Sequence, residues 1–164
     1  MAPKQKPHRS KQDYETPWEF VHAVERDWLG GSKFAIDLAA SAQNSKSETA
    51  FIDEKENSLT VNWRERYPRD TWAWLNPPFS KIAVWARKCS EMYQERRGIV
   101  MLVPASVGSN WFYKYVHERA YVLFLNGRIA FDPTHPKWGY PKDCMLCIYG
   151  GGYEPGFDVW NWRK

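Results

Sequence analysis

The chain has 164 residues, 43% of them hydrophobic and 26% charged, with a formal net charge of +4. That length suits one domain with a substantial core and excludes two full-size ones, while the composition belongs to a globular rather than a disordered chain. No apolar run approaches the ~20 residues needed to span a bilayer, and no apolar segment follows the charged N-terminus, so a cytoplasmic protein without membrane association is expected.

The first 13 residues carry Lys4, Lys6, Arg9 and Lys11 against Asp13 alone, a net +3 that leaves the rest of the chain at +1. They read as a flexible basic tail (1–13), suited to sequence-independent attraction to phosphates, ahead of a single domain over 14–164. Thr16, Pro17 and Glu19 then form a helix start, with Thr16 as N-cap, Pro17 at the first helical position and Glu19 completing a capping box. Phe20, Val21, Val24 and Trp28 recur at helical spacing until Gly30 and Gly31 stop the helix. Residues 33–38 make a short strand that ends at an acid, Asp37, and opens onto the small Ala39, Ala40 and Ser41. The polar stretch over 43–62 offers only Phe51, Ile52, Leu59 and Val61 for burial and reads as loop with at most one short helix.

Residues 71–75 alternate like a strand and run straight into Asn76, Pro77, Pro78 and Phe79, where two prolines end any ladder. Ser80 is placed to cap a helix carrying Ile82, Val84, Trp85, Cys89 and Met92. Residues 98–103 are the unbroken apolar run of a strand covered on both faces of a parallel sheet. A helix near 110–117 and strands at 121–125, 129–131 and 144–149 complete an α/β order with a partly antiparallel end. Cys144 and Cys147 form a lone Cys-x-x-Cys with no second ligand pair. On a strand, residues three apart face opposite sides, so they read as small core residues and no metal is expected.

Open α/β sheets bind ligands beyond the carboxyl ends of their strands. At the first such end, Asp37 can bond a ligand's amino or hydroxyl group, and the small residues after it let backbone approach. Neither GxGxxG nor GxxxxGK(S/T) is present, which removes the warrant for dinucleotide and P-loop sites. At the second end, two prolines stiffen the backbone so that the Asn76 amide oxygen and the Pro77 carbonyl can serve as paired acceptors for a planar amino group. Phe79 then stacks on the ring bearing that group. Ten tryptophans point the same way, towards stacking on bases or ligands, although most must lie in the core. His22, His117 and His135 form no convincing nucleophile–base constellation.

Asn76, Pro77, Pro78 and Phe79 resemble the Asp/Asn/Ser-Pro-Pro-aromatic signature of S-adenosylmethionine (AdoMet)-dependent amino-methyltransferases. The wider string resembles the phage-type, Dam-like DNA N6-adenine methyltransferases. Residues 16–20, 34–41 with Asn44, 75–80, 100–104 with Trp111 and Phe112, 127–131 and 141–146 carry the likeness, in that order. It implies a compact single domain of Rossmann-like AdoMet-dependent methyltransferase fold, α/β, with a mostly parallel sheet. It also implies methyl transfer from AdoMet to the N6 amino group of adenine in double-stranded DNA, within a bacterial host cell. Short or relaxed target sites are expected, because no insertion is long enough for a separate target-recognition domain.

Position by position, the resemblance puts Thr16 and Pro17 at the methionine moiety of the cofactor and Asp37, Ala39 and Ser41 in the loop that holds it. Asn76, Pro77, Pro78 and Phe79 fall at the methyl acceptor, and Arg128, in a GRxxF segment, near the DNA backbone. The first loop lacks the glycines usual in the methyltransferase fold, and the acid for the ribose hydroxyls is to be sought among Asp53, Glu54 and Glu56. The loop 132–140 is polar, proline-stiffened and basic, so His135, Lys137 and Trp138 are expected to face DNA. The alternatives are methylation of a protein glutamine amide or an RNA amino group, and an inactive DNA-binding module.

Overall fold

The computed structural model describes residues 15–131 and 142–164. The expected basic tail over 1–13 and the DNA-facing candidates His135, Lys137 and Trp138 lie outside the described residues. The elements in chain order are α1 (Trp18–Trp28), β1 (Ile36–Asp37), β2 (Thr71–Leu75), α2 (Ile82–Met92), β3 (Arg97–Pro104), α3 (Asn110–Tyr115), β4 (Ala120–Asn126), β5 (Cys144–Tyr149) and β6 (Gly156–Asn161). They build one six-stranded sheet in the order β1-β2-β3-β5-β4-β6.

β1, β2 and β3 run parallel, β5 is antiparallel to both β3 and β4, and β6 is parallel to β4. The fold is thus mixed α/β with a mostly parallel sheet, as expected. Its reversed strand comes late in the chain but sits inside the sheet rather than at an edge. The reason is composition: every residue of β5 is buried, and such a strand needs neighbours and cover on both sides. Alternation along β3 sends Ile99, Met101 and Val103 to a core under α2, and Val100 and Leu102 to a core under α1. Cys147 and Cys144 divide between the same two cores, as small residues three apart on a strand must. Among the described residues no helix is long and apolar enough to cross a membrane.

Several local expectations are corrected. The strand expected over 33–38 narrows to Ile36–Asp37, although Ala35 and Leu38 still donate to the Trp72 and Trp74 carbonyls at 2.9 Å. The N-cap of α1 is Pro17, without a side-chain cap bond, because the Thr16 hydroxyl is engaged elsewhere. Ser80 falls within a 3-10 turn, Phe79–Lys81, and Lys81 precedes α2 instead. Residues 129–131 belong to no strand: Gly127, at φ 112°, turns the chain off the ladder, and Ile129 and Phe131 are buried from a loop. β6 was not expected; it is an edge strand whose Phe157 and Val159 stay exposed. Trp72 lies in a slot that only glycines permit, since a Cβ at Gly98 or Gly151 would approach its ring to 2.2 Å.

Candidate active site

The parallel register brings two loop-bearing strand ends together. Asp37 pairs with Trp74, and Leu75 with Met101, so the residues after β1 emerge beside Asn76 after β2. A cleft of about 610 Å³ opens there, within the range of small-molecule sites. Ala39, Ala40, Ser41 and Asn44 from the first loop form one part of its wall, and Asn76, Pro77 and Pro78 form another. Asp53 and Glu54 supply carboxylates, while Ile52, Leu59 and Trp85 supply apolar surface.

The first loop is held from inside. Asp37 is buried, its Oδ1 accepts from the Ala39 amide at 3.2 Å and its Oδ2 from the Lys46 amide at 2.9 Å. Burial pushes its pKa up to about 6, against the pull of those two amides and of the Lys46 charge. Asn44 Oδ1 accepts from the Ser41 amide at 2.7 Å and closes the turn. The opposite wall is held by α2. Lys88 Nζ donates to the carbonyls of Ser58 and Leu59, each at 2.9 Å, and to that of Val61. Trp63 Nε1 donates to the Ser58 carbonyl at 3.0 Å and to its hydroxyl at 2.9 Å.

Of the residues expected at a site, Ala39, Ser41, Asp53, Asn76, Pro77 and Pro78 meet in this one cleft. Thr16 and Asp37 line a smaller polar cavity of about 30 Å³ next to it, which shares Ala39, Asn44 and Asn76 with the cleft. Pro17 is next to Thr16 but lines neither cavity. Phe79, half-buried, follows the two prolines and packs edge-on against Phe131, with ring centroids 6.2 Å apart. Arg128 is exposed and pairs with Asp143 at 3.2 Å, outside both cavities. Of the three acids weighed for a ribose, Asp53 and Glu54 line the cleft, whereas Glu56 does not and pairs with Arg66.

Trp85 and Lys88 were not foreseen as site residues. Their spacing of three on one helix is the available signal, because it puts a cleft-lining ring and a loop-bracing ammonium on neighbouring parts of α2. The donor set fits a cofactor with a hydroxylated, cationic portion and a flat heteroaromatic portion. Carboxylates stand at one part of the wall and apolar side chains at another. The Trp85 indole N–H, buried in that wall, has no hydrogen-bond partner among the described residues, and a buried donor left unmade is costly.

Comparison with known proteins gives the following. The profile of the family described as DNA N-6-adenine-methyltransferase (Dam) matches residues 4–144. A DNA N-6-adenine-methyltransferase of Haemophilus phage HP1 is 30% identical over 134 residues, which cover 80% of this chain and 73% of that protein. One of Escherichia phage T1 is 27% identical over 119 residues, 73% of this chain and 47% of that longer protein. A crystal structure of a predicted O-methyltransferase from Agrobacterium tumefaciens superposes with a TM-score of 0.44 at 14% identity, over 87% of this chain and 86% of that one.

Proposed function

The chain belongs to the DNA N-6-adenine-methyltransferase (Dam) family, and from that premise we propose that it methylates the N6 amino group of adenine in double-stranded DNA, with AdoMet as methyl donor. The observation that carries this reading is the joining of Asn76, Pro77 and Pro78 with Asp53, Glu54 and the first loop around one cleft. Target sites are short or relaxed, and the enzyme works in the cytoplasm of a bacterial host.

The cofactor would be held by Ala39 and Ser41 on the loop that Asp37 braces, with the backbone of Thr16 and Pro17 towards its methionine end and the Thr16 hydroxyl left to Asn76. Asp53 and Glu54 would take the ribose hydroxyls, and Trp85 with Leu59 would border the adenine. AdoMet, when bound, supplies a methyl group already activated by its sulfonium, so the protein needs no strong general base.

The chain's own task is alignment. A duplex adenine keeps its N6 hydrogen-bonded inside the stack, so the base must leave the helix to react. Phe79 receives it by stacking. The Asn76 amide oxygen and the Pro77 carbonyl accept the two N6 hydrogens. This draws the nitrogen lone pair out of conjugation and turns it towards the methyl group. The amine releases one proton to solvent after transfer. Arg128, exposed beside Asp143, contacts the DNA backbone, and the segment with His135, Lys137 and Trp138 faces the duplex.

The test is parallel incubation of the protein and labelled AdoMet with unmethylated duplex DNA, RNA and protein, followed by digestion and mass spectrometry. N6-methyladenine from DNA is expected, and Asn76→Ala abolishes it while AdoMet binding persists. N4-methylcytosine, label confined to RNA or to protein glutamine, or an active Asn76→Ala variant overturns the proposal. Absence of AdoMet binding would instead leave an inactive DNA-binding module.

A further inference from the structure

We propose that Thr16 is a positioning residue that sets which end of the Asn76 amide serves the acceptor amine. The inference rests on the reading of Asn76 as the acceptor-site amide. A primary amide has two ends of nearly equal shape and opposite chemistry, and rotating it exchanges an accepting oxygen for a donating NH2. An amine that must give away its hydrogens is served by one orientation and opposed by the other.

In this structure Asn76 Nδ2 donates to Thr16 Oγ1 at 3.0 Å, across 60 residues of sequence. That bond directs the NH2 end towards Thr16, and the planar amide therefore carries its oxygen on the side away from it. Thr16 is 1% exposed, so bulk solvent does not compete for this contact.

A hydroxyl can serve either end of an amide, so the surroundings decide. Thr16 and Asn76 share the small polar cavity with Asp37, Glu15 and Lys46, two acids against one base. That excess of negative charge favours the NH2 end of Asn76 on this side over the carbonyl, and the Thr16 hydroxyl accepts from it. The hydroxyl is also held in place from both directions along the chain. Lys46, itself 3% exposed, donates through Nζ to Glu15 at 2.7 Å and lies 4.7 Å from the centre of the Trp18 ring. Burying a lysine is costly, and here the charge clamps the residues flanking Thr16 on both sides.

The experiment compares the wild-type protein with Thr16→Val, which keeps the shape and deletes the hydroxyl, and with Thr16→Ser, which restores it. Single-turnover methylation of duplex DNA, AdoMet affinity by calorimetry and Tm are measured for each. Thr16→Val should slow transfer by about tenfold or more. Its AdoMet affinity should stay within threefold, and the Thr16→Ser rate within threefold of wild type. A Thr16→Val rate within threefold of wild type overturns the inference. So does a Thr16→Ser loss as large as that of Thr16→Val, which would signal a packing role. AdoMet affinity falling in parallel with rate overturns it too, and makes Thr16 a cofactor ligand. If the wild-type protein places no label on adenine, the proposed function itself has failed, a result distinct from all of these.

Discussion

Phe131 stands edge-on to Phe79, with 84° between the ring planes and 6.2 Å between their centroids. The ring next to Pro77 and Pro78 is therefore braced by a residue from the loop after β4, 52 positions further along the chain. A stacking platform for a flipped base acts best when its own orientation is already set, because ordering it on binding costs free energy. An edge-to-face aromatic pair contributes ~0.5–1.5 kcal/mol beyond its area.

Phe131→Leu should consequently lower kcat about 2- to 13-fold at unchanged AdoMet affinity, that range being the pair energy expressed as a rate. Phe79→Ala should cost more, about 1–3 kcal/mol of base stacking, while Phe79→Tyr and Phe79→Trp retain most of the turnover. Steady-state kinetics on one duplex substrate, with Tm recorded to account for lost packing, compares the four variants. Equal rates for Phe131→Leu and wild type would remove the brace from the mechanism.

The place of Asn76 to Phe79 in the fold was legible from local signals: the alternation of Thr71–Leu75 announces a strand, and Pro77 and Pro78 end it at a fixed place. β5 was equally plain, since an unbroken apolar run has few homes other than a covered strand. Other features depended on partners far away in sequence. Thr16 reads as an N-cap because Glu19 lies three residues on, yet its hydroxyl meets Asn76, which local spacing cannot announce. Ile129 and Phe131 imitate strand alternation, but their burial comes from a loop folded back on Phe79. β6 escaped notice because an edge strand with most of its side chains exposed shows little hydrophobic contrast. Trp85 sits at ordinary core spacing, and only the cleft gives its indole N–H a second meaning.

Asp37 gives the domain a pH dependence opposite in sign to that of a salt-bridged carboxylate. Its folded pKa of about 6 lies above the unfolded value near 3.9, so the native state binds this proton more tightly. The resulting stabilisation is full below about pH 4 and is lost as pH rises through about 6. Asp37→Asn should lower Tm, since one of the two loop amides loses its acceptor, and should flatten this group's decline between pH 4 and 7. AdoMet affinity should fall more than kcat at saturation, because the loop rather than the acceptor is loosened. Melting curves of both proteins across that range decide it, and parallel pH profiles would remove Asp37 as the titrating group.

The far wall of the cleft yields a separable effect. Lys88→Met keeps the aliphatic stem and removes every bond to the Ser58, Leu59 and Val61 carbonyls. Bonds from a charged donor contribute ~1.5–3 kcal/mol, so a loss of part of that in cofactor binding corresponds to an AdoMet Kd raised by about tenfold or more. Trp85→Phe removes an N–H that has no partner among the described residues, so Tm should hold or rise while AdoMet affinity drops. Calorimetric titration of both variants provides the check. An unchanged Kd for Trp85→Phe would show that the indole donor does not meet the cofactor.

The last prediction concerns charge rather than shape. Lys4, Lys6, Arg9 and Lys11 lie ahead of a body that is otherwise nearly neutral. Basic side chains on phosphates release counterions, and log K then falls with log salt at ~0.9 per phosphate neutralised. Deleting residues 1–11 should therefore weaken DNA binding most at low salt and flatten the salt slope by at most about 3–4 units. Base preference should stay as it was, because phosphate contacts position a protein without reading sequence. The truncated and full-length chains are compared by titration on a duplex at four salt concentrations, alongside a methylation assay on adenine-bearing sites of differing context. An unchanged slope would exclude the tail from DNA binding, and an altered site preference would give it a role in base readout that charge alone does not provide.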